Sequence, residues 1–337
     1  MSRNPVARAA GLCALVVILA APGARPQSSL PTRIGKIAVS GTGGWDYLSV
    51  DTASHRLYVS HATRVNVVDT KNGTEVGLVE NTPGIHGIAV VPEFHRGFTS
   101  NGATATVTVF DLSTLEVVRT VSVTGRKPDA IIYDPYSKRV FTFNGASANA
   151  TAIDPATCAV VGTIALGGAP ENAVADERGH IFVNLEDQNC VVEFDAASLT
   201  VEARWPLSPG ETPTGLSMDR KSRRLFAGCR NQLLVVMDAD SGKVVSTFPI
   251  GKGVDGTAFD PQTHLIFASN KDGTLNVVRQ NSPSDYVALG RVTTAPGAKT
   301  MALDASTHRL YLSAGVQGGR NAEADAGLFV LVLSQMP

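Results

Sequence analysis

Trp45 to His61 reads WDYLSVDTASHRLYVSH, and the same pattern returns without gaps as PDAIIYDPYSKRVFTFN from Pro128, PTGLSMDRKSRRLFAGC from Pro213 and VDGTAFDPQTHLIFASN from Val254. IHGIAVVPEFHRGFTSN from Ile85, PENAVADERGHIFVNL from Pro170 (one residue short) and KTMALDASTHRLYLSA from Lys299 (starting one column later) complete seven copies. The second column holds Asp46, His86, Asp129, Glu171, Thr214, Asp255 and Lys299, spaced by 40, 43, 42, 43, 41 and 44 residues. So regular a period marks a repeat architecture in which each unit buries its apolar face against its neighbours.

Each copy reads as four short strands separated by turn signals. The first strand ends at a recurring aspartate (Asp51, Asp134, Asp176, Asp219, Asp260, Asp304), whose side chain can accept from backbone amides ahead of it; the second copy has Val91 there, followed by Pro92. The second strand carries Tyr58, Phe98, Phe141, Phe182, Phe226, Phe267 or Tyr311 in one column, positions expected between blades. The third is apolar and alternating, as in RVNVVD and TVTVFD, and the fourth has the form of EVVRTVSV or KVVSTFPI. The pattern predicts an all-β, seven-bladed β-propeller of four-stranded blades over residues 33–333. The seventh copy has only three strands, ending with GLFVLVL at 327–333. RIGKIAVSG, from Arg33 to Gly41, matches the outer-strand pattern and is expected to complete that last blade, which removes the open edges.

The chain has 337 residues, 29 basic and 30 acidic, for a formal net charge of −1. Arg3 and Arg8 followed by the apolar run Ala9 to Ala21 fit a secretory leader over residues 1–24, with cleavage between residues 20 and 27. The run is too short to span a bilayer, and no later segment is long and apolar enough to do so. Loss of the two arginines moves the charge to about −3, so nucleic acid is a disfavoured partner. The expected location is periplasmic or secreted. Cys158, Cys190 and Cys229 remain, an odd number that allows at most one disulfide; Cys190 and Cys229, at strand ends of neighbouring blades, are the pair that could approach.

The copies resemble the YVTN-type β-propeller repeat family of exported bacterial proteins, with RLYVS at Arg56 to Ser60 and RLYLS at Arg309 to Ser313 as the nearest matches. The resemblance implies the fold. For activity it implies a choice between ligand- or protein-binding propellers and lactonase-like hydrolases.

Five of the seven histidines (His55, His95, His180, His264, His308) stand four residues after the turn-aspartate column, which makes that column framework. His61 and His86 fall outside it, toward the opposite face. There the second column would ring the mouth of the central channel with Asp46, His86, Asp129, Glu171, Asp255 and Lys299. The end of the second strand is expected to add His61 and Asn144. Carboxylates crowded together repel, and a cation or polar ligand would relieve them. Carboxylate, amide and imidazole suit Ca, Mg or a transition metal, or a general acid and base; alternatively solvent and Lys299 neutralise the ring and each residue caps its own strand. Trp45 could stack on a ligand or simply pack. Gly315 to Gly327 could be a flap over this face or a connector. No GxSxG, phosphate-binding glycine loop, HExxH or haem-attachment motif is present. The expected function is therefore a monomeric binding or scaffold module for a small molecule, peptide or protein, with a metal-dependent hydrolase of lactonase type as the alternative.

Overall fold

The structure is a computed structural model that describes residue 1 and residues 30–315 and 327–334. The expected leader and the interior of the 315–327 segment lie outside the described residues. Seven four-stranded antiparallel sheets follow one another along the chain. Blade one comprises Trp45–Asp51, Arg56–His61, Arg64–Asp69 and Glu75–Val79, running outward from the axis. Blades two to six repeat this order over residues 85–122, 128–165, 170–206, 213–249 and 254–293. Blade seven has the strands Met301–Asp304, Arg309–Gly315 and Leu328–Ser334, and its outer strand is Thr32–Ala38 from the N-terminal side.

That closing strand pairs antiparallel with Leu328–Ser334, placing Ile37 opposite Val330 and Ala38 opposite Phe329. The Val39 amide extends the ladder to the Leu328 carbonyl at 3.1 Å, and the Lys36 ammonium stands 3.8 Å above the Phe329 ring. A propeller left open there would expose a row of unpaired backbone groups.

The turn aspartates act as their spacing suggests. Asp176 Oδ1 accepts from the Arg178 amide at 2.7 Å and Asp304 Oδ1 from the Ser306 amide at 3.0 Å, and Asp69, Asp111, Asp154, Asp195 and Asp238 cap the hairpins between third and outer strands in the same way. The aromatic column is buried throughout; Tyr58, Phe98, Phe141, Phe182, Phe226 and Phe267 are inaccessible and Tyr311 is 1% exposed. Each such side chain contributes about 1.5–3 kcal/mol relative to exposure.

Arginine latches tie one blade to the next. Arg96 Nη1 donates to the Pro155 and Ala156 carbonyls, Arg139 Nη1 to Ala196 and Ala197, Arg224 Nε to Pro283, Arg56 Nη1 to Leu112, and Arg309 Nη1 across the closure to Thr70. His180 departs from its expected column. The missing residue of blade four precedes it, so His180 begins a strand opposite Asp195, in the arginine column. The turn column proper is held by His55, His95, Lys138, Arg223, His264 and His308, all with φ between 53° and 57°, and by Gly179 (φ 117°) in blade four. The framework role assigned to that column is a left-handed turn position, a conformation in which histidine is enriched among non-glycine residues.

Ile37→Ala should lower stability by about 3 kcal/mol in urea unfolding because Ile37 is buried under the closure. Ile34→Ala on the same strand, 51% exposed, should stay within about 0.5 kcal/mol. Equal effects would contradict the closing register.

Candidate functional site

Seven inner strands converge on one axis, and their first residues are bent into it. In blades one to six the ladder between the first and second strands breaks register at the mouth, for instance between Trp45 and Leu48 and between Pro128 and Ile131. A bulge of this kind re-aims side chains. The neighbouring column is small in most blades because the backbones nearly touch: a Cβ on Gly87 would lie 2.9 Å from the Ile131 side chain, and one on Gly256 would lie 3.2 Å from the Met301 amide. Tyr47 is the exception. It reaches from blade one to pack against the core cluster of blades three and four.

Side-chain and backbone bonds hold the mouth together. Thr300 Oγ1 donates to the Asp46 carbonyl at 2.6 Å, Thr214 Oγ1 to Val254 at 2.7 Å and Ser269 Oγ to Ala298 at 2.8 Å, each joining adjacent blades.

The charged residues form a chain across five consecutive blades. His86 Nδ1 donates to Asp46 Oδ2 at 2.7 Å and lies 3.5 Å from Asp129 Oδ1. Lys299 Nζ donates to Asp46 Oδ1 at 3.2 Å and to Asp255 Oδ2. The order is thus Asp129, His86, Asp46, Lys299, Asp255, running from blade three back through blade one to blade six. The chain stops at blades four and five. Thr214 has turned its hydroxyl to the backbone, and among the described residues no hydrogen bond or ion pair reaches the Glu171 carboxyl. Half-exposed Arg230 flanks the break, 3.6 Å from Asp255 Oδ1 and 3.9 Å from Glu186, while Lys127 stands 3.9 Å from Asp129.

Proton affinities follow from this arrangement. Burial would raise the Asp46 carboxyl, but the His86 bond and the Lys299 charge outweigh it and hold the group below its ordinary value. Burial likewise opposes charge on His86 and Lys299; the bond to Asp46 with the Asp129 charge raises His86, and Asp46 with Asp255 raises Lys299. Asp129, 6% exposed, is pushed up to about 6 by burial, with His86 pulling the other way. Burial and the charges of Asp129, Asp255 and Glu186 push Glu171 up to about 9, so it is a protonated acid at neutral pH. Burial, with the charges of Glu171, Asp129, Asp46 and Asp255, raises the Tyr47 phenol well above its usual range. One atom stands out: Asp255 is 6% exposed, yet among the described residues its Oδ1 has no hydrogen-bond partner.

The structure therefore brings together Asp46, His86, Asp129, Glu171, Asp255 and Lys299. His61 and Asn144 stand apart from them. His61 is 1% exposed, bonds Asn66 at 3.2 Å and has its proton affinity lowered by burial. Asn144 is inaccessible and donates to Asn149 and Thr151. Both lie at the end of a second strand, where the side chain faces the third strand of its own blade. Trp45 packs in the closure cluster, against the position that a Cβ on Gly315 would occupy. Cys190 and Cys229 are both free and buried, so no disulfide joins them. Tyr47, Arg230, Glu186 and Lys127 were not read from the sequence; for Tyr47 the signal was there, the one aromatic in a column otherwise held by Gly87, Ala130, Asn172, Gly215, Gly256 and Thr300.

Two other places bear mention. His180, Glu193 and Glu202 offer ligand atoms within 4.8 Å of one another on the flank of blade four, as do Asp46, His86 and Asp129 at the mouth. A recess near Arg224, Asp238 and Lys243 lies at the rim of blade five, away from the mouth.

No family model and no curated protein matches the chain. Among solved structures, it is similar to hydrazine synthase from Kuenenia stuttgartiensis (TM-score 0.72, 15% identity, covering 81% of this chain and 93% of that one). It is also similar to a chain of the Mitotic Checkpoint Complex (TM-score 0.76, 14% identity, covering 96% and 98%). At such identities the likeness shows the seven-bladed fold and leaves the YVTN-type resemblance on its sequence alone. No described helix is long and apolar enough to cross a membrane.

A carboxyl held protonated to about 9 in the folded chain, against an ordinary value of 4.5, gives the folded state the more tightly bound proton. Its stabilising contribution is full below about pH 4.5 and is lost as pH rises through 9. Glu171→Gln removes that loss. The unfolding temperature of the parent should fall relative to the variant between pH 5 and pH 9, read by thermal denaturation; parallel curves would contradict the raised proton affinity of this half-buried acid.

Proposed function

We propose that the chain is an exported, YVTN-type propeller that works as a binding module, taking a small polar ligand, or a polar group of a partner protein, at the channel mouth. The observation that carries this reading is Asp255, a nearly inaccessible carboxylate whose Oδ1 accepts no hydrogen bond among the described residues and meets only the half-exposed Arg230, at 3.6 Å. Leaving a buried acceptor unpaired costs about 1–3 kcal/mol, more for a charged one, and a bound ligand that donates there recovers it. The mouth is also mixed in sign, with Lys299, His86, Arg230 and Lys127 among the carboxylates, which suits orientation of a polar molecule. Protein partners fit the same reading, since one similar chain belongs to a multi-protein complex. Export rests on residues 1–24, and a cleaved chain found outside the cytoplasm is the outcome expected of it.

The expected result of a thermal-shift screen of polar metabolites against the purified chain is at least one stabilising ligand, with affinity reduced at least tenfold in Asp255→Asn. A ligand whose binding ignores that change would overturn the assignment of the site.

The second reading, a metal-dependent hydrolase of lactonase type, draws on Asp46, His86 and Asp129, whose ligand atoms lie within 4.8 Å of one another. Those residues would hold a divalent cation that activates water. His86 Nδ1 donates to Asp46 Oδ2 and Lys299 Nζ to Asp46 Oδ1, so metal uptake would require His86 to give up that proton to serve as a ligand and Lys299 to leave Asp46. Lactone hydrolysis abolished by chelator and by His86→Ala would establish this reading in place of the first.

A further inference from the structure

Seven copies of one unit serve as controls for one another, and blade four departs from the other six at three neighbouring positions. The first is the residue that opens the second strand: Arg56, Arg96, Arg139, Arg224 and Arg309 in five blades, Leu265 in blade six, and His180 in blade four. The second is the third-strand residue paired with the aromatic column. Val67, Val109, Ala152, Val236, Val277 and Val332 hold it elsewhere and are all buried, whereas blade four has Glu193, opposite Phe182. The third is the extra residue of the outer-strand bulge, which is Ile34, Val76, Val118, Val161, Val245 or Leu289 in the other blades and Glu202 in blade four. An imidazole and two carboxylates thus stand where the repeat otherwise places an arginine and two apolar side chains, and their ligand atoms lie within 4.8 Å of one another.

His180 is already oriented for such a role. Its Nδ1 lies 3.3 Å from Asp176 Oδ2, an inaccessible carboxylate that also accepts from Arg223 Nη1 at 2.6 Å. An ionised carboxylate can only accept, so Nδ1 carries the proton and Nε2 faces Glu202 Oε2 at 3.4 Å. A carboxylate behind the ring is what sets the tautomer and direction of metal-binding histidines. Tetrahedral bonds of about 2.0–2.2 Å put two ligands on one ion at about this separation. Glu193 supplies the third oxygen. Among the described residues no hydrogen bond or ion pair reaches its carboxylate, and the neighbouring Arg223 is taken by Asp176 and Asp240.

We propose that His180 Nε2, Glu193 and Glu202 bind a divalent transition-metal ion of the Zn²⁺ class on the flank of blade four. An imidazole nitrogen in the donor set favours these ions over Ca²⁺ and Mg²⁺, which take oxygen throughout. Two carboxylates and a neutral imidazole balance the charge of the ion, which ties the second, third and outer strands of one blade together. The site is separate from the mouth and stands whether or not the mouth binds a ligand.

The test is calorimetric titration of the full, chelator-treated chain with Zn²⁺, and separately with Ca²⁺ and Mg²⁺, alongside thermal unfolding. One Zn²⁺ per chain is expected to bind and to raise the unfolding temperature, and Ca²⁺ and Mg²⁺ at the same concentration are expected to do neither. Glu193→Val and Glu202→Val install the residue that other blades carry, so each should keep the metal-free unfolding temperature of the parent while weakening Zn²⁺ at least about tenfold. Glu193→Gln, which keeps the shape of the side chain, gives the same readout where the valine disturbs packing. Absence of Zn²⁺ binding by the parent would overturn the proposal and leave His180 as an imidazolium paired with Glu202. Zn²⁺ binding that survives both glutamate substitutions would also overturn it, and loss of that binding in His86→Ala would then place the ion at the mouth. Equal binding of Ca²⁺ would overturn the choice of a transition metal.

Discussion

The pairing of Thr32–Ala38 with Leu328–Ser334 is the constraint on which everything else rests. Sheets that twist and pack face to face around an axis form a stable object only when the last meets the first. Here the meeting is secured by a backbone ladder, by Ile37 and Val330 in a shared core, and by the Arg309 bond to Thr70. Only with the ring shut do seven inner strands crowd close enough to demand glycine at 87, 215 and 256, and only then do carboxylates from separate blades stand within bonding distance of one lysine. The closing partners are also nearly three hundred residues apart in sequence. The strand made first has to wait for the strand made last, and the entropy lost in closing so long a loop must be offset by the ladder and core at the seam.

The repeat made the fold legible, down to the borrowed outer strand, because a period carried by turn aspartates and a buried aromatic column repeats one local physical solution seven times. It also revealed the ring, since the residues at one column of a propeller converge. It failed at His61 and Asn144 because adjacency along a strand does not mean the same face: a neighbouring residue on a strand turns its side chain the other way. It misplaced His180 because a one-residue deletion can be positioned on either side of it, and only the ladder opposite Asp195 decides. Arg230, Glu186 and Lys127 come from loops whose reach no spacing encodes.

Charge at the mouth is arranged as alternation and not as a uniform ring. Negative and positive groups follow one another from Asp129 to Asp255, which lets Asp46 ionise easily while desolvated Glu171, outside the sequence of partners, keeps its proton. The same residue types thus play opposite electrostatic parts, decided by whether a neighbouring blade supplies a cation.

Tyr47 gives this arrangement a direction. The charged residues at the axis already differ from blade to blade, and one aromatic side chain lying across from blade one to blades three and four adds a second asymmetry that no other repeat supplies at that column.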